Sequence, residues 1–423
     1  MTESTDKNKV FSRLDSALGG LSIATMMITG LLAATLVGIH IEGISVKTVL
    51  SDILKRAGMN SVLVLAMVPA IQSGTGPNFA LPIGIVCGLF AVVCSIQLDY
   101  TGFSWLFGSV CFSIVFAVIA GYLYGKLLNA IKGSEMVIAT FTGFAITALF
   151  CLIWFTIPFN NPKMGMFMGR GLREMIQLDV VGGKHILNDF LAFVIGGEIL
   201  IPSDKAGDLI ILGGKIIPTD EVIIRTVERV REEVSAVIVK GKLIIPNDMG
   251  ELLSNSVGGV IRDGVLFPTG LLLVFGFLSV LVWLFFRSKT GIAISAGGIN
   301  PKFAQTAGLN IDRSRIWANI LSTVLGAIGI VIYGQSFGFS QLYLAPLMMA
   351  FPAVAAILVG GATASRATVS NAVIGVFILQ GLFAAAPPYV NEVFKGTDLS
   401  DIMRMIIQNG VILYALTQIK RGG

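Results

Sequence analysis

The chain has 423 residues, of which 54% are hydrophobic and only 13% charged, and its mean hydropathy is +0.83. Soluble domains carry about 25% charged side chains, so this composition excludes a water-soluble globule and points to an integral membrane protein. The net charge of +5 does not argue for nucleic acid: residues 159–268 hold 12 basic and 14 acidic side chains, which leaves the basic excess on the membrane portion, where it anchors span ends.

In chain order, residues 1–20 are polar and lack a small-residue cleavage site after the first apolar run, so that run is expected to be a retained span. A helix needs about 20 apolar residues to cross a bilayer. Charge-free intervals, cut at their Gly/Pro/Asn clusters, predict ten spans near 21–41, 60–73, 79–98, 104–125, 136–158, 269–286, 316–335, 343–360, 367–386 and 402–419. With Lys7, Lys9 and Arg13 inside, ten crossings also place Lys126, Lys132, Arg287, Lys289, Lys302, Arg313, Arg315, Arg366, Lys420 and Arg421 inside. Both termini are therefore expected to be cytoplasmic, at the plasma membrane. Lys47, Lys55 and Arg56 are the exception. They lie between Val46 and Asn60, where Val46, Leu50, Ile53 and Leu54 form an apolar stripe, and this stretch is expected to be an interfacial helix on the outer surface.

Residues 159–268 fall between spans five and six and form an expected extracytoplasmic insert, dividing the chain into a first membrane half (1–158) and a second (269–423). Leu209–Leu212 and Lys215–Ile217 flank Gly213-Gly214, and Ala236–Ile245 turns around Lys240-Gly241, both in the manner of hairpins. Between them Ile223, Val227, Val230 and Val234 recur at helical spacing, opposite charges running from Arg225 to Glu233. The expectation is a ββαββ module over 208–248.

Ionisable groups at membrane depth mark ion-driven transport, and paired carboxylates or histidines mark catalysis. Neither pattern is visible, and no catalytic residue, cofactor or metal is expected. Cys87, Cys94, Cys111 and Cys151 lie in apolar stretches without C-x-x-C spacing and read as small buried hydrophobes; His40 and His185 sit in no metal-ligand pattern.

What remains is neutral and polar. The charge-free interval 60–98 is interrupted at Ser73-Gly74-Thr75-Gly76-Pro77-Asn78, and 316–365 is interrupted near Gly334–Gly338. Broken helices at matched places in two halves point to a translocation site, since unwound backbone at membrane depth is expected where it lines a cavity. The expected substrate path is Ser73, Thr75, Asn78, Phe79, Gln335, Ser336 and Gln341, groups suited to a neutral hydroxylated solute. The same side chains could instead only satisfy freed backbone groups. Gly84/Gly88 and Gly121/Gly125 are small-residue pairs expected to serve close helix packing.

The loop 288–315 carries the most specific signal. Asn300 can cap a short helix, Pro301 suits its first position, Phe303, Ala304 and Ala307 share a face, and Gly308 terminates it. Such a helix could enter a groove on another protein. Ala296-Gly297-Gly298-Ile299-Asn300-Pro301-Lys302-Phe303-Ala304-Gln305-Thr306-Ala307-Gly308-Leu309-Asn310 resembles the cytoplasmic coupling loop of ATP-binding-cassette importer permeases of the ribose, galactose and nucleoside type, themselves related to branched-chain amino-acid permeases. The family pattern Gly-Gly-x-Asn-x-x-Ala-x-x-x-Gly is matched at Gly297, Gly298, Asn300, Ala304 and Gly308 with one residue of slack. The likeness extends to ten spans, a polar break between the second and third, and an outer loop between the fifth and sixth. It implies that Asn300–Leu309 docks on a cytoplasmic ATPase, that a second permease copy or paralogue completes the path, and that an extracytoplasmic binding protein delivers the solute. The chain contains no G-x-x-x-x-G-K-[ST] of its own, so hydrolysis belongs to a partner. It departs from sugar permeases at the first break, where Gly76-Pro77-Asn78-Phe79 replaces Gly-Ile-Asp-Leu-Ser, and in the length of its insert.

The expected fold class is thus an all-α polytopic membrane protein of about ten transmembrane helices with a small α+β extracytoplasmic insert. The expected function is the permease subunit of an ATP-driven importer for a sugar or nucleoside. The alternatives are an ion-coupled or passive transporter without an ATPase, and a membrane scaffold presenting the insert.

Overall fold

The computed structural model describes residues 23–393 except 132, 134, 157–160, 166–171, 196–197, 202–221, 230–231, 241–242, 245–259, 263–264 and 364, and beyond them positions 402, 405, 406, 409 and 410. The last expected span, 402–419, and the expected strands 209–212 and 215–217 lie largely or wholly outside the described residues.

The first membrane half contains α1 (Ile23–Ile41), α2 (Val46–Leu65), α3 (Met67–Gln72), α4 (Leu81–Gln97), α5 (Gly102–Ala130) and α6 (Glu135–Thr156). The second contains α8 (Thr269–Arg287), α9 (Lys289–Ile299), α10 (Pro301–Thr306), α11 (Ile311–Phe337), α12 (Ala345–Met348), α13 (Ala350–Val359) and α14 (Val369–Val393). Among the described residues six helical stretches are long and apolar enough to cross a membrane: α2 with α3, α5, α6, α8, α11 and α14; α1, α4 and α12 with α13 are shorter apolar segments.

Helix α11 is the pillar of the bundle, and glycines let its neighbours approach. A Cβ at Gly84 or Gly88 of α4 would strike the Thr323 or Ala327 carbonyl, and one at Gly121 or Gly125 of α5 would come within 2.9 or 3.0 Å of the Ile320 or Ile316 Cα. Both small-residue pairs are thus packing surfaces on the same helix. Helix α4 is buried nearly all round, whereas the opposite face of α5 carries exposed Phe107, Ile119 and Leu123, and α6 exposes Phe141 and Leu152, as lipid-facing surfaces require. Cys87 is buried, Cys94 and Cys151 are half-buried, and Cys111 is exposed, so only the first is the fully buried hydrophobe expected.

Contacts sort the helix ends into two sets. At one end α9 crosses the chain beyond α3, Asn129 Nδ2 donates to the Asp312 carbonyl, and Arg315 pairs with Glu135 at 3.2 Å. At the other, Leu178 N–H donates to the Gly338 carbonyl, Lys163 pairs with Asp99 at 3.6 Å, and Leu266 N–H donates to Ser51 Oγ. The first is the α9–α10 end; the second carries the insert.

Two sequence expectations change here. Val46–Asn60 is not a separate interfacial helix but the start of α2, continuous in direction with α3 through Ala66. Charge-free counting excluded it because of Lys47, Asp52, Lys55 and Arg56, yet Arg56 pairs with Asp52 one turn away and Val49, Ile53 and Ala57 are buried, Val49 and Ile53 in a cluster with Ile39, Ala384 and Ala385 of α1 and α14. In the insert, the helix expected over Ile223–Val234 is instead β4 (Val222–Arg229) paired antiparallel with β5 (Glu232–Lys240), Val222 opposite Val239 and Arg229 opposite Glu232. Val222, Ile223, Ile224, Thr226 and Val227 are β-branched, which disfavours helix and favours strand. Strand β5 pairs next with β3 (Glu198–Ile201), and β3 with β7 (Val260–Arg262), giving the order β4-β5-β3-β7. Strand β6 (Leu243–Ile244) joins β2 (Phe193–Ile195) and β8 (Val265–Phe267) rather than closing a hairpin with β5.

Candidate functional site

The segment 288–315 folds through three successive caps. Ser288 Oγ accepts from Gly291 N–H to start α9, Asn300 Oδ1 accepts from Phe303 N–H at 3.1 Å to start α10, and Asn310 Oδ1 accepts from Arg313 N–H to start α11. Pro301 occupies the first position of α10, where its missing N–H costs nothing. Gly308, at φ 78°, ends the helix: its N–H donates to the Gln305 carbonyl and Leu309 N–H to the Ala304 carbonyl. The six-residue helix therefore forms where the sequence placed it, but its faces divide differently. Ala304 is 0% exposed and seats α10 on the body of the protein, whereas Phe303 is 68% exposed and Ala307 is exposed. The surface offered outward is built on Phe303 and Ala307, without Ala304. Gly297 is buried in α9, and Gly298 lies on its last turn.

Gly298 is where this segment meets the first break. A Cβ there would collide with the Gln72 carbonyl oxygen and reach 2.8 Å from Gly74 N, so α9 crosses the Ser73-Gly74 turn backbone against backbone. Gly74 and Gly76 have φ of 78° and 79°, the left-handed region that favours glycine. Ser73 Oγ lies 3.1 Å from Thr75 Oγ1, and both hydroxyls bond the Ala70 carbonyl. Asn78 Nδ2 donates to Ser322 Oγ at 2.8 Å, its Oδ1 accepts from Ala80 N–H, and Ser322 in turn donates to the Ala66 carbonyl at 2.6 Å. Pro69 has no N–H to return to the Leu65 carbonyl, and at the next residue the Ala66 carbonyl is the one that Ser322 serves. Phe79 stacks obliquely on Phe351 of α13, centroids 5.9 Å apart. The break is thus a turn buried in protein, and in this conformation its polar side chains are engaged with one another, with backbone and with α11.

Gln335, Ser336 and Gln341 are not brought to it. Thirteen residues of α11 separate Ser322 from Gln335, about 20 Å at 1.5 Å per residue. The expected second broken helix is a helix end: Gly338, φ 88°, caps α11, and β9 (Phe339–Gln341) pairs antiparallel with β1 (Met175–Gln177), Gln341 opposite Met175. Gln335 Oε1 accepts from Leu187 N–H of α7 (Ile186–Asp189), and Ser336 Oγ donates to Asn188 Oδ1 at 2.7 Å. His185, beside them, donates its backbone N–H to the Gln335 carbonyl. Burial, then the charges of Lys55 and Lys184, push its imidazole down to about 4. Asn188 Nδ2 stands 3.1 Å from His185 Nδ1; an amide nitrogen can only donate, so the ring accepts there.

Two further residues bear on this site without having stood out in the sequence. Gln72 Oε1 accepts from Ser295 Oγ of α9 and Gln72 Nε2 donates to the Ala367 carbonyl, both at 2.6 Å. A glutamine at a helix end and a serine in a small-residue loop carry no periodic or motif signal, and only the fold brings them together.

Comparison with known families decides what kind of bundle this is. The family model described as branched-chain amino acid transport system / permease component matches residues 49–416, which spans both membrane halves, the break and the segment 288–315. The chain belongs to this permease family. Among curated relatives, it is 28% identical over 124 residues to the nucleoside ABC transporter permease protein NupC of Lactococcus lactis subsp. cremoris, covering 28% of this chain and 39% of that one. It is 27% identical over 139 residues to NupB of the same organism, over 31% and 35% of the two chains, and 30% identical over 124 residues to the galactofuranose transporter permease protein YtfT of Escherichia coli, over 27% and 36%. The matches thus span between 35% and 39% of these relatives' length. No solved structure matches the chain. Family membership and several apolar helices together make this permease-family chain a multi-pass membrane protein.

Proposed function

We propose that this chain is the permease subunit of an ATP-driven importer, a transport component whose ATP hydrolysis occurs on a separate cytoplasmic subunit. The observation that carries the reading is Phe303: a large apolar side chain, 68% exposed, on a helix capped by Asn300 and closed by Gly308, with the basic residues Lys302 and Arg313 close by in sequence. Basic residues at that end, Lys126, Arg287, Lys289, Lys302, Arg313 and Arg366, support its assignment as cytoplasmic. Lys126 over the Tyr122 ring and Arg287 over the Trp283 ring, 4.6 and 3.9 Å from the centroids, fit interfacial anchoring there. On this reading the chain has about ten spans with both termini inside, and the insert faces outward, where a solute-binding protein and a second permease copy would assemble.

The solute class is a small neutral hydroxylated molecule, a sugar or nucleoside, as with the relatives named above. The amide and hydroxyls at the break, with no charged side chain among Ser73–Ala80, support this. In the described conformation the break is closed, and Ser73, Thr75, Asn78 and Phe79 become path-lining once it opens. Gln335, Ser336 and Gln341 act at the insert end instead.

The test is Phe303→Glu. The variant is expected to insert and melt as the parent does but to lose its ATPase subunit on purification. Undiminished co-purification contradicts the docking assignment. Bulk at Ala304, by contrast, is expected to unseat α10 altogether.

A further inference from the structure

We infer that Gln72 is a positioning residue that transmits movement of the docking segment to the break, an inference that rests on the proposed docking of α10. The route is continuous in named contacts. Phe303 stands on α10, whose body is fixed by Ala304 and whose first residue follows Asn300. Asn300 is at once the end of α9, its N–H on the Ala296 carbonyl, and the cap of α10, its Oδ1 on Phe303 N–H. A push on Phe303 therefore moves α9. At the second-last residue of α9, Gly298 rests on the backbone of Gln72 and Gly74, and one turn earlier Ser295 donates to the Gln72 side chain. Four residues beyond Gly74, Asn78 ties the turn to Ser322 and so to α11.

The glycine crossing alone is a contact that can push but not pull. Gln72 supplies the pull. Its amide accepts from α9 and donates to a third segment, the Ala367 carbonyl ahead of α14. A carboxylate could accept from Ser295 but would set a second acceptor against the Ala367 carbonyl; asparagine is one methylene short; methionine fills the volume with neither bond. Displacing α9 must break the Gln72–Ser295 bond or carry the Ser73–Gly76 turn with it, and the α14 entry follows through Ala367. The bond is half-buried, so water competes with it less than at an open surface.

A solute-independent experiment reads this link. In a background with Cys87, Cys94, Cys111 and Cys151 replaced, Ala80→Cys places a small thiol at the end of the break. The full complex, purified with its ATPase subunit, is alkylated with N-ethylmaleimide before and after trapping with ATP and vanadate. Trapping is expected to change the labelling rate in the parent, and Gln72→Met or Ser295→Ala is expected to shrink that change roughly five-fold, the worth of one hydrogen bond. ATPase association and hydrolysis should stay within about two-fold, with the double variant no worse than either single. Ser295→Ala removes one atom only and decides the matter if Gln72→Met fails to fold. An undiminished labelling change in both variants overturns the inference, as does no change in the parent, or loss of ATPase association in the Gln72 and Ser295 variants. Failure of the docking reading is separate: it shows as Phe303→Glu retaining the ATPase.

Discussion

At the scale of single residues, burial separates side chains that spacing groups together. Phe303 and Ala304 sit on a six-residue helix and Ala307 at its C-cap, and periodicity over so short a run cannot say which stripe turns inward; the body beneath decides it at Ala304. The cap residues Asn300, Pro301 and Gly308 were legible, because capping chemistry is local and needs no knowledge of what packs on the helix. His185 was not, since its environment is made by α2 and α11. Its low folded pKa has a consequence for pH. Between about 4 and 6.5 the unfolded chain binds a proton that the folded chain refuses, so the stability owed to the neutral ring is full above pH 6.5 and is lost as pH falls towards 4. Protonation would also place two donors face to face at Nδ1 and Asn188 Nδ2. Thermal midpoints in detergent are expected to fall more steeply over that window in the parent than in His185→Asn, a residue that tolerates the left-handed φ of 58° there; parallel profiles would contradict this.

At the scale of elements, charge-free intervals located most helices because the cost of bringing a charge into hydrocarbon is the strongest term acting on such a chain. The rule failed at α2 for the reason it works elsewhere. The polar side of that helix is spent on Arg56–Asp52 and on bonds such as Ser51 to the insert, which a count of charges cannot distinguish from a loop. It failed again at the second break, where a run of small polar residues marks a helix end pairing with a distant strand, a contact with no local trace. Two element-scale predictions follow from packing. Gly88→Ile drives a branched side chain into the Ala327 carbonyl, and should lower stability by about 1–3 kcal/mol or abolish folded yield; an unchanged thermal midpoint would mean α4 does not touch α11 as described. Arg315 and Glu135 are largely buried, and Glu135 also accepts from Gly133 N–H at 3.0 Å. Glu135→Gln or Arg315→Met alone should cost about 2 kcal/mol, with the double variant close to either single; strict additivity would show that the pair does not latch α6 to α11.

For the whole molecule, the break and the α9–α10 segment, proposed as solute path and ATPase dock, are neighbours at one end of the bundle, joined through Gly74, Gly298, Gln72 and Ser295. The insert closes the other end through β1, α7 and the last turn of α11. That separation fits a path opened from one side by nucleotide and from the other by whatever docks outside. Its orientation is open to labelling: a cysteine at Ser288 should react with an impermeant maleimide only after the cell is opened, and one at Asp179 in intact cells, with the reverse pattern contradicting the orientation.

On the proposed reading, the chain does no transport work without a separate ATPase. Sealed vesicles containing the chain alone, or the chain with its ATPase and binding protein, can be offered radiolabelled nucleosides and hexoses with and without ATP. Accumulation above the outside concentration is expected only in the full assembly and only with ATP; uphill uptake by the chain alone, driven by an ion gradient in the absence of nucleotide, would contradict the account.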